Sequence, residues 1–188
     1  MREFVKLTNV ITSGNLVAGF LALLAAQRNL LLAAAALVLL AASLDFLDGV
    51  VARRLDGEGQ FGSTLDSLAD LVSFGVVPAL MQYLGPLHSL SVFGVVTCLG
   101  FFLCGAWRLA RFPLTKTPRC FIGVPIPPAG VLVALLAVWG PAPLLALLVT
   151  AALSVLMVSS LSFPTFSSSV RAAISISRQF SNRRPPHS

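Results

Sequence analysis

The chain has 188 residues, of which 56% are hydrophobic and only 11% charged, and its mean hydropathy is +0.89. A composition this apolar excludes a soluble domain with a polar surface and predicts that most of the chain lies in lipid. The formal net charge of +6 would suggest an acidic partner in a soluble protein. Because the basic residues here fall between apolar segments, no nucleic-acid partner is expected.

Apolar segments follow one another along the chain, each close to the length needed to cross the hydrocarbon core of a bilayer. Their predicted limits are 8–27, 30–49, 65–84, 89–107, 124–140 and 142–161. The last two form a tight hairpin. Because prolines surround these segments, the hairpin either crosses the membrane or is only partly inserted into it. The sequence therefore predicts an all-α, polytopic membrane protein built as a six-transmembrane-helix bundle.

The first segment has an alternative interpretation as a signal peptide, because Arg2 and Lys6 precede its apolar stretch. Small and polar residues near its start argue against a simple targeting core: Asn9, Thr12, Ser13, Gly14 and Asn15. We therefore expect this segment to remain as the first helix of the bundle.

Lysine and arginine are confined almost entirely to one side of the predicted bundle. They precede the first segment, lie between the second and third and between the fourth and fifth, and follow the sixth, whereas only Arg28 falls on the other side. Since cytoplasmic loops retain basic residues, both termini are predicted to be cytoplasmic. The expected location is a prokaryotic cytoplasmic membrane.

The end of the chain differs in composition from the rest. We divide the chain into a transmembrane domain, residues 1–165, and a basic Ser/Arg-rich cytoplasmic tail, residues 166–188. Apolar residues of the tail share one arc of a helical projection: Val170, Ala173, Ile174, Ile176 and Phe180. The tail is thus either a helix on the membrane surface or a disordered basic segment.

Four aspartates lie near the ends of the second and third apolar segments, at Asp45, Asp48, Asp66 and Asp70. A charged side chain near membrane depth costs about 2.5 to 3.5 kcal/mol on insertion scales, so such residues are retained for function more often than not. Spacings of three and four place each pair on one helix face. The hairpin between the segments returns the chain to the same side, so both pairs are predicted to meet at the cytoplasmic interface.

Converging carboxylates repel one another unless protons or cations neutralise them. Two divalent cations would balance the charge, and oxygen-only ligands favour Mg²⁺ or Mn²⁺. Two ions about 3.5 to 4 Å apart suit a phosphoryl-type displacement, since they stabilise both the attacking and the leaving oxygen. The alternative is a set of helix-end carboxylates that face water and pair with Arg53 and Arg54.

The residues between the two pairs complete a longer pattern. It reads Asp45-x2-Asp48-Gly49-x2-Ala52-Arg53-x8-Gly62-x3-Asp66-x3-Asp70. Every fixed position matches the signature of the CDP-alcohol phosphatidyltransferase family, which the chain therefore resembles.

This resemblance implies a six-helix membrane bundle that forms a homodimer. It also implies that the four aspartates hold the metal ions and that the CDP moiety borders Gly49, Ala52, Arg53 and Gly62. Asp70 is implied as the general base, which takes the proton of the acceptor hydroxyl while a CDP-activated lipid transfers its phosphatidyl group and releases CMP.

Runs outside the signature indicate the acceptor alcohol. Residues 65–79, 108–112, 121–129 and 157–159 resemble the membrane-integral phosphatidylserine synthases within that family, although Pro113 stands where these typically have asparagine. The resemblance implies CDP-diacylglycerol as donor and serine as acceptor. Arg108 and Arg111 are then candidate ligands for the serine carboxylate or, alternatively, positive-inside anchors.

Other acceptors stay open because they share the signature: glycerol 3-phosphate, an inositol phosphate and choline. A phosphorylated acceptor would need further cationic residues near the metals. A channel or transporter is a rival of another class. It is disfavoured because the carboxylates are predicted at one interface and not along a pathway.

Overall fold

The structure is a computed structural model that describes residues 7–54, 59–111, 121–122, 124–159 and 162–163. Apart from one pair of two-residue strands, the elements within these ranges are helical. They are α1 (Leu7–Gln27), α2 (Leu31–Arg54), α3 (Gln60–Asp70), a π-helical segment (Leu71–Val76), α4 (Val77–Leu84), a short 3₁₀ helix (His88–Leu90), α5 (Ser91–Arg111), α6 (Ile126–Trp139) and α7 (Pro143–Val158). Strand β1 (Phe121–Ile122) pairs antiparallel with β2 (Ser162–Phe163).

Among the described residues, four helices are long and apolar enough to cross a membrane. They span Leu7–Gln27, Leu31–Ala52, Gln60–Leu84 and His88–Arg111, and the third joins α3, the π-helical segment and α4 into one continuous helix. Many large apolar side chains on these helices are exposed, among them Leu32, Val92 and Phe93. Such a surface suits lipid, so the chain is an integral membrane protein.

The last two helices are apolar but shorter than predicted. Helix α6 has 14 residues and α7 has 16, which corresponds to about 21 and 24 Å against a hydrocarbon core about 30 Å thick. Helix α6 starts only after Pro125 and ends at Gly140, which adopts a left-handed conformation with φ 62°. The predicted limits of 124–140 and 142–161 are therefore too wide.

Among the other differences between predicted and observed helix limits, two bear on the aspartates. Helix α2 continues past residue 49 to Arg54, and α3 begins at Gln60, before the predicted start at 65. The extension of α2 ends in Arg53 and Arg54, and that of α3 contains Gln60, Ser63 and Thr64, so apolar content alone did not include them. As a result Ala52 and Gly62 lie inside helices and not in a loop.

Close helix packing fixes the turn that follows Asp70. A Cβ atom on Gly19 of α1 would collide with Ser73 Oγ, and one on Gly130 of α6 would collide with the carbonyl oxygen of Phe74. Ser73 and Phe74 belong to the π-helical segment, which no sequence pattern predicted. π-Helical turns within α-helices occur frequently at functional sites, and this one is held between α1 and α6.

A buried glutamine joins two helices elsewhere in the bundle. Gln82 of α4 is fully buried, and its Nε2 donates a hydrogen bond of 2.9 Å to the carbonyl oxygen of Val133 on α6. Hydrogen bonds between membrane helices contribute about 0.6 kcal/mol on average. Gln82 therefore serves the packing of the bundle.

Candidate active site

Helices α2 and α3 bring the two aspartate pairs together. One carboxylate oxygen from each of Asp45, Asp48 and Asp66 lies within 4.8 Å of the other two. Asp48 is almost fully buried, whereas Asp45 and Asp66 are half-buried. The three carboxylates form an acidic triad that could hold a metal ion, since hard divalent cations prefer oxygen ligands.

Asp70 adds a fourth carboxylate to this triad. It lies one turn beyond Asp66, is 7% exposed and lies close to the carboxylate of Asp45. Its Oδ1 is enclosed and has no hydrogen-bond partner among the described residues. Carboxylates this close repel one another unless a proton or a cation lies between them.

The first helix supplies a residue that orients this cluster. Thr12 Oγ1 of α1 donates a hydrogen bond of 2.8 Å to Asp48 Oδ2 and also lies 2.9 Å from the carbonyl oxygen of Thr8. Thr12 belongs to a buried polar face of α1 made up of Thr8, Asn9, Thr12 and Asn15. From the sequence alone, Asn9, Thr12 and Asn15 argued only against a signal peptide, and Thr8 had no assigned role. Their helical spacing was the signal that could have placed them beside the aspartates.

Small residues border the cluster on both helices, where the resemblance places the CDP moiety. No described atom lies within 4 Å of the position that a Cβ on Gly49 would occupy, so α2 leaves open space there. Ala52 and Gly62 are both buried. The backbone of Arg53 continues α2 next to Ala52, while its side chain falls outside the part of the chain that the structure describes.

The two arginines at the end of α5 differ in position. Arg108 is half-buried, its Nε has no hydrogen-bond partner within the described ranges, and its charge interacts with that of Asp70. Arg111 is exposed. Residues 112–120, which include Pro113, lie outside the described residues. Arg108 is thus the more enclosed of the two arginines, with a charge that acts on Asp70.

Residues 5–166 match the family described as CDP-alcohol phosphatidyltransferase. The chain belongs to this family. It is therefore a membrane enzyme of the CDP-alcohol phosphatidyltransferase kind, which confirms the assignment made from the aspartate signature. The match spans most of the chain and includes every helix described above.

Three relatives show which members of the CDP-alcohol phosphatidyltransferases the chain is similar to. It is 38% identical over 159 residues to the CDP-diacylglycerol–serine O-phosphatidyltransferase of Bacillus subtilis, covering 84% of this chain and 89% of that protein. Identity is 36% over 169 residues to the protein of the same name from Helicobacter pylori, with 84% and 71% of the two chains covered. The archaetidylserine synthase of Methanothermobacter thermautotrophicus is 39% identical over 167 residues, with 86% and 71% covered.

Proposed function

We propose that this enzyme transfers the phosphatidyl group of CDP-diacylglycerol to the hydroxyl of L-serine, releasing CMP and forming phosphatidylserine. The observation that carries the proposal is the meeting of the signature carboxylates of α2 and α3 in a chain whose relatives are named for serine transfer. Phosphoryl transfer depends mainly on positioning and charge stabilisation, which a rigid pair of helices can supply.

We assign the metal site to Asp45, Asp48, Asp66 and Asp70, with two Mg²⁺ or Mn²⁺ ions as the cofactor. The residues fit such ions, because all donors are carboxylate oxygens, three lie within 4.8 Å of one another and the fourth has an enclosed oxygen without a hydrogen-bond partner among the described residues. When bound, the ions would neutralise the diphosphate of the donor and the departing CMP.

The donor site follows from the small residues next to this cluster. Gly49, Ala52 and Gly62 allow a nucleotide to approach the helix backbones closely, and the open space beside Gly49 supports this placement. Arg53 is proposed to bind phosphate through two parallel hydrogen bonds, a geometry that its guanidinium favours.

Asp70 is proposed as the general base. It takes the proton of the serine hydroxyl as that oxygen forms a bond to the phosphorus that carries the lipid. The bond between this phosphorus and the CMP oxygen breaks, and CMP leaves with the electron pair. Because Asp70 is buried next to the other carboxylates, bulk water is kept away from the attacking oxygen.

Serine is favoured over phosphorylated acceptors by the cations near the aspartates. The charge of Arg108 interacts with that of Asp70, and a guanidinium at this place suits the single carboxylate of serine. Glycerol 3-phosphate and an inositol phosphate each carry a phosphate group of higher charge, for which further cations would be needed. Arg111 is assigned the weaker role of guiding the acceptor, because it is exposed.

The acceptor is tested with the purified full chain, CDP-diacylglycerol and Mg²⁺ or Mn²⁺. Serine, glycerol 3-phosphate, inositol phosphate and choline are offered separately, and CMP release is measured. We expect release that depends on serine alone. CMP release that depends on glycerol 3-phosphate or another acceptor, with none for serine, would replace the serine assignment and leave the family membership untouched.

The hydrogen bond from Thr12 to Asp48 yields a prediction for metal affinity. Thr12→Val keeps the shape of the side chain but removes the hydroxyl that orients Asp48. Loss of such an outer-shell partner typically weakens metal binding by about 10- to 100-fold. We therefore expect the Mg²⁺ or Mn²⁺ concentration for half-maximal activity, and for half-maximal thermal stabilisation, to rise by this factor.

Thr97→Val is the matched control for that prediction. Thr97 lies on α5, where its exposed hydroxyl donates to the carbonyl oxygen of Phe93 in the same helix. This variant should leave the metal dependence unchanged. Equal metal dependence in Thr12→Val and the wild type would show that Thr12 does not orient a metal ligand.

We further propose that α6 and α7 also cross the membrane, that both termini and the active site are cytoplasmic, and that the enzyme is a homodimer. The one-sided distribution of basic residues supports the orientation. The division at residue 165 and the surface helix or disordered tail over 166–188 stay predictions. The tail lies outside the described residues.

The orientation predicts opposite exposure for two loops. In a variant without native cysteines, Gly57→Cys should react with a membrane-impermeant thiol reagent from the cytoplasmic side, and Pro86→Cys from the other side. Gly57 lies between α2 and α3, and Pro86 follows α4. Labelling of both from one side would contradict the membrane crossing of the helix Gln60–Leu84.

A further inference from the structure

The first helix carries a buried amide to which no role has been assigned above. Asn15 is fully buried, and neither its Oδ1 nor its Nδ2 has a hydrogen-bond partner among the described residues. An unpaired amide is costly in an apolar interior. A polar side chain kept at such a position in a membrane helix therefore points to a ligand.

Two contacts place Asn15 beside the active site. Thr12, one turn earlier on the same buried face of α1, donates to Asp48. The backbone carbonyl oxygen of Asn15 itself accepts a hydrogen bond of 3.2 Å from Ser73 Oγ. Ser73 lies one turn after Asp70 on the continuous helix Gln60–Leu84. Asn15 is thus next to the turn that carries the proposed base, and one turn further along α1 than the contact with Asp48.

We propose that Asn15 binds the amino acid end of the acceptor and helps to select serine, an inference that rests on the proposed function. Its Oδ1 accepts a hydrogen bond from the ammonium group, and its Nδ2 donates to the carboxylate. An amide offers an acceptor and a donor side by side. Serine carries both groups on one carbon, so a single amide can contact both while the hydroxyl reaches Asp70.

The charge of the site explains why an amide suits this position. An ammonium group needs an acceptor that is not already engaged by a metal ion, and the four carboxylates are assigned to the metals. Asn15 provides such an acceptor without adding a fifth negative charge. Arg108 supplies the positive charge for the carboxylate, so Asn15 and Arg108 together recognise a zwitterion.

The test compares Asn15→Leu with Gln82→Leu in the purified full chain. Each substitution removes a fully buried amide that has an unpaired oxygen, but Gln82 lies on α4 and contacts α6. Michaelis constants for serine and for CDP-diacylglycerol are measured at saturating metal. Asn15→Leu should raise the KM for serine by about 10- to 100-fold, as expected for a lost hydrogen bond to a charged group, with much less change in the KM for CDP-diacylglycerol. Gln82→Leu should change neither.

If Asn15→Leu does not fold, Asn15→Ala is used in its place. The smaller alanine side chain leaves a space at this buried position, whereas leucine can overfill it. An unchanged KM for serine, or a raised KM for CDP-diacylglycerol alone, would overturn the inference. Equal effects of the Asn15 and Gln82 variants would also overturn it, because Asn15 would then serve packing only. In all three cases the wild-type enzyme still uses serine, whereas failure of the proposed function would appear as a wild-type enzyme that does not.

Discussion

The Asp66→Asn variant is expected to lose turnover altogether. Asp66 joins Asp45 and Asp48 in the acidic triad, so an amide in its place removes one negative charge from the site proposed to hold divalent ions. The same variant should lose the rise in thermal midpoint that we expect metal to give the wild type, because a ligand stabilises the folded state only when it binds to it. CMP release and metal-dependent unfolding are the two measurements.

Asp56→Asn is the control for this substitution. Asp56 lies in the sequence between the two aspartate pairs, outside the described residues, and is no part of the signature. Its variant should keep both activity and metal-dependent stabilisation. Loss of a residue that only supports a metal ligand typically lowers metal affinity or activity by about 10- to 100-fold. If Asp66→Asn retained activity within about tenfold of the wild type, Asp66 would not be a metal ligand and the four-carboxylate site would be wrong.

The Asp70→Asn variant is expected to separate the role of base from that of metal ligand. Asparagine keeps an oxygen that can face a metal but cannot accept the proton of serine. If Asp70 is the base, kcat should fall by about 10² to 10⁴. The affinity for CDP-diacylglycerol, measured directly, should fall much less, because proton transfer contributes to the transition state and not to donor binding.

A parallel collapse of donor affinity, metal affinity and rate in Asp70→Asn would contradict the role of base. Asp70 would then be chiefly a ligand, and water would become the preferred proton acceptor. The closeness of Asp70 to Asp45 makes this comparison informative, because a proposed base and a proposed metal ligand then belong to one cluster of carboxylates.

The sequence could predict the part of the site that depends on the spacing of residues within a helix. Asp45 with Asp48, and Asp66 with Asp70, each share a helix face at intervals of three and four, and a hairpin between two apolar helices is enough to bring them together. The matches of Gly49, Ala52 and Gly62 to the signature likewise depended on spacing along the chain. Family membership followed from the same residues.

What the sequence could not predict depends on contacts between distant helices. The hydrogen bond from Thr12 to Asp48 joins residues 36 positions apart, and that from Ser73 to Asn15 joins residues 58 apart. The π-helical segment after Asp70 has no sequence pattern of its own, and close packing against Gly19 and Gly130 holds it in place. Polar residues on α1 gave a signal, but only the fold shows what they face.

The incorporation of labelled serine into lipid tests the central claim most directly. The purified enzyme is given CDP-diacylglycerol, Mn²⁺ or Mg²⁺ and isotopically labelled L-serine, and the lipid product is extracted and identified by its mass while CMP is quantified. We expect phosphatidylserine and CMP in equal amounts, and neither after a chelator removes the metal. CMP without labelled lipid, or a labelled product only from another alcohol, would contradict the account.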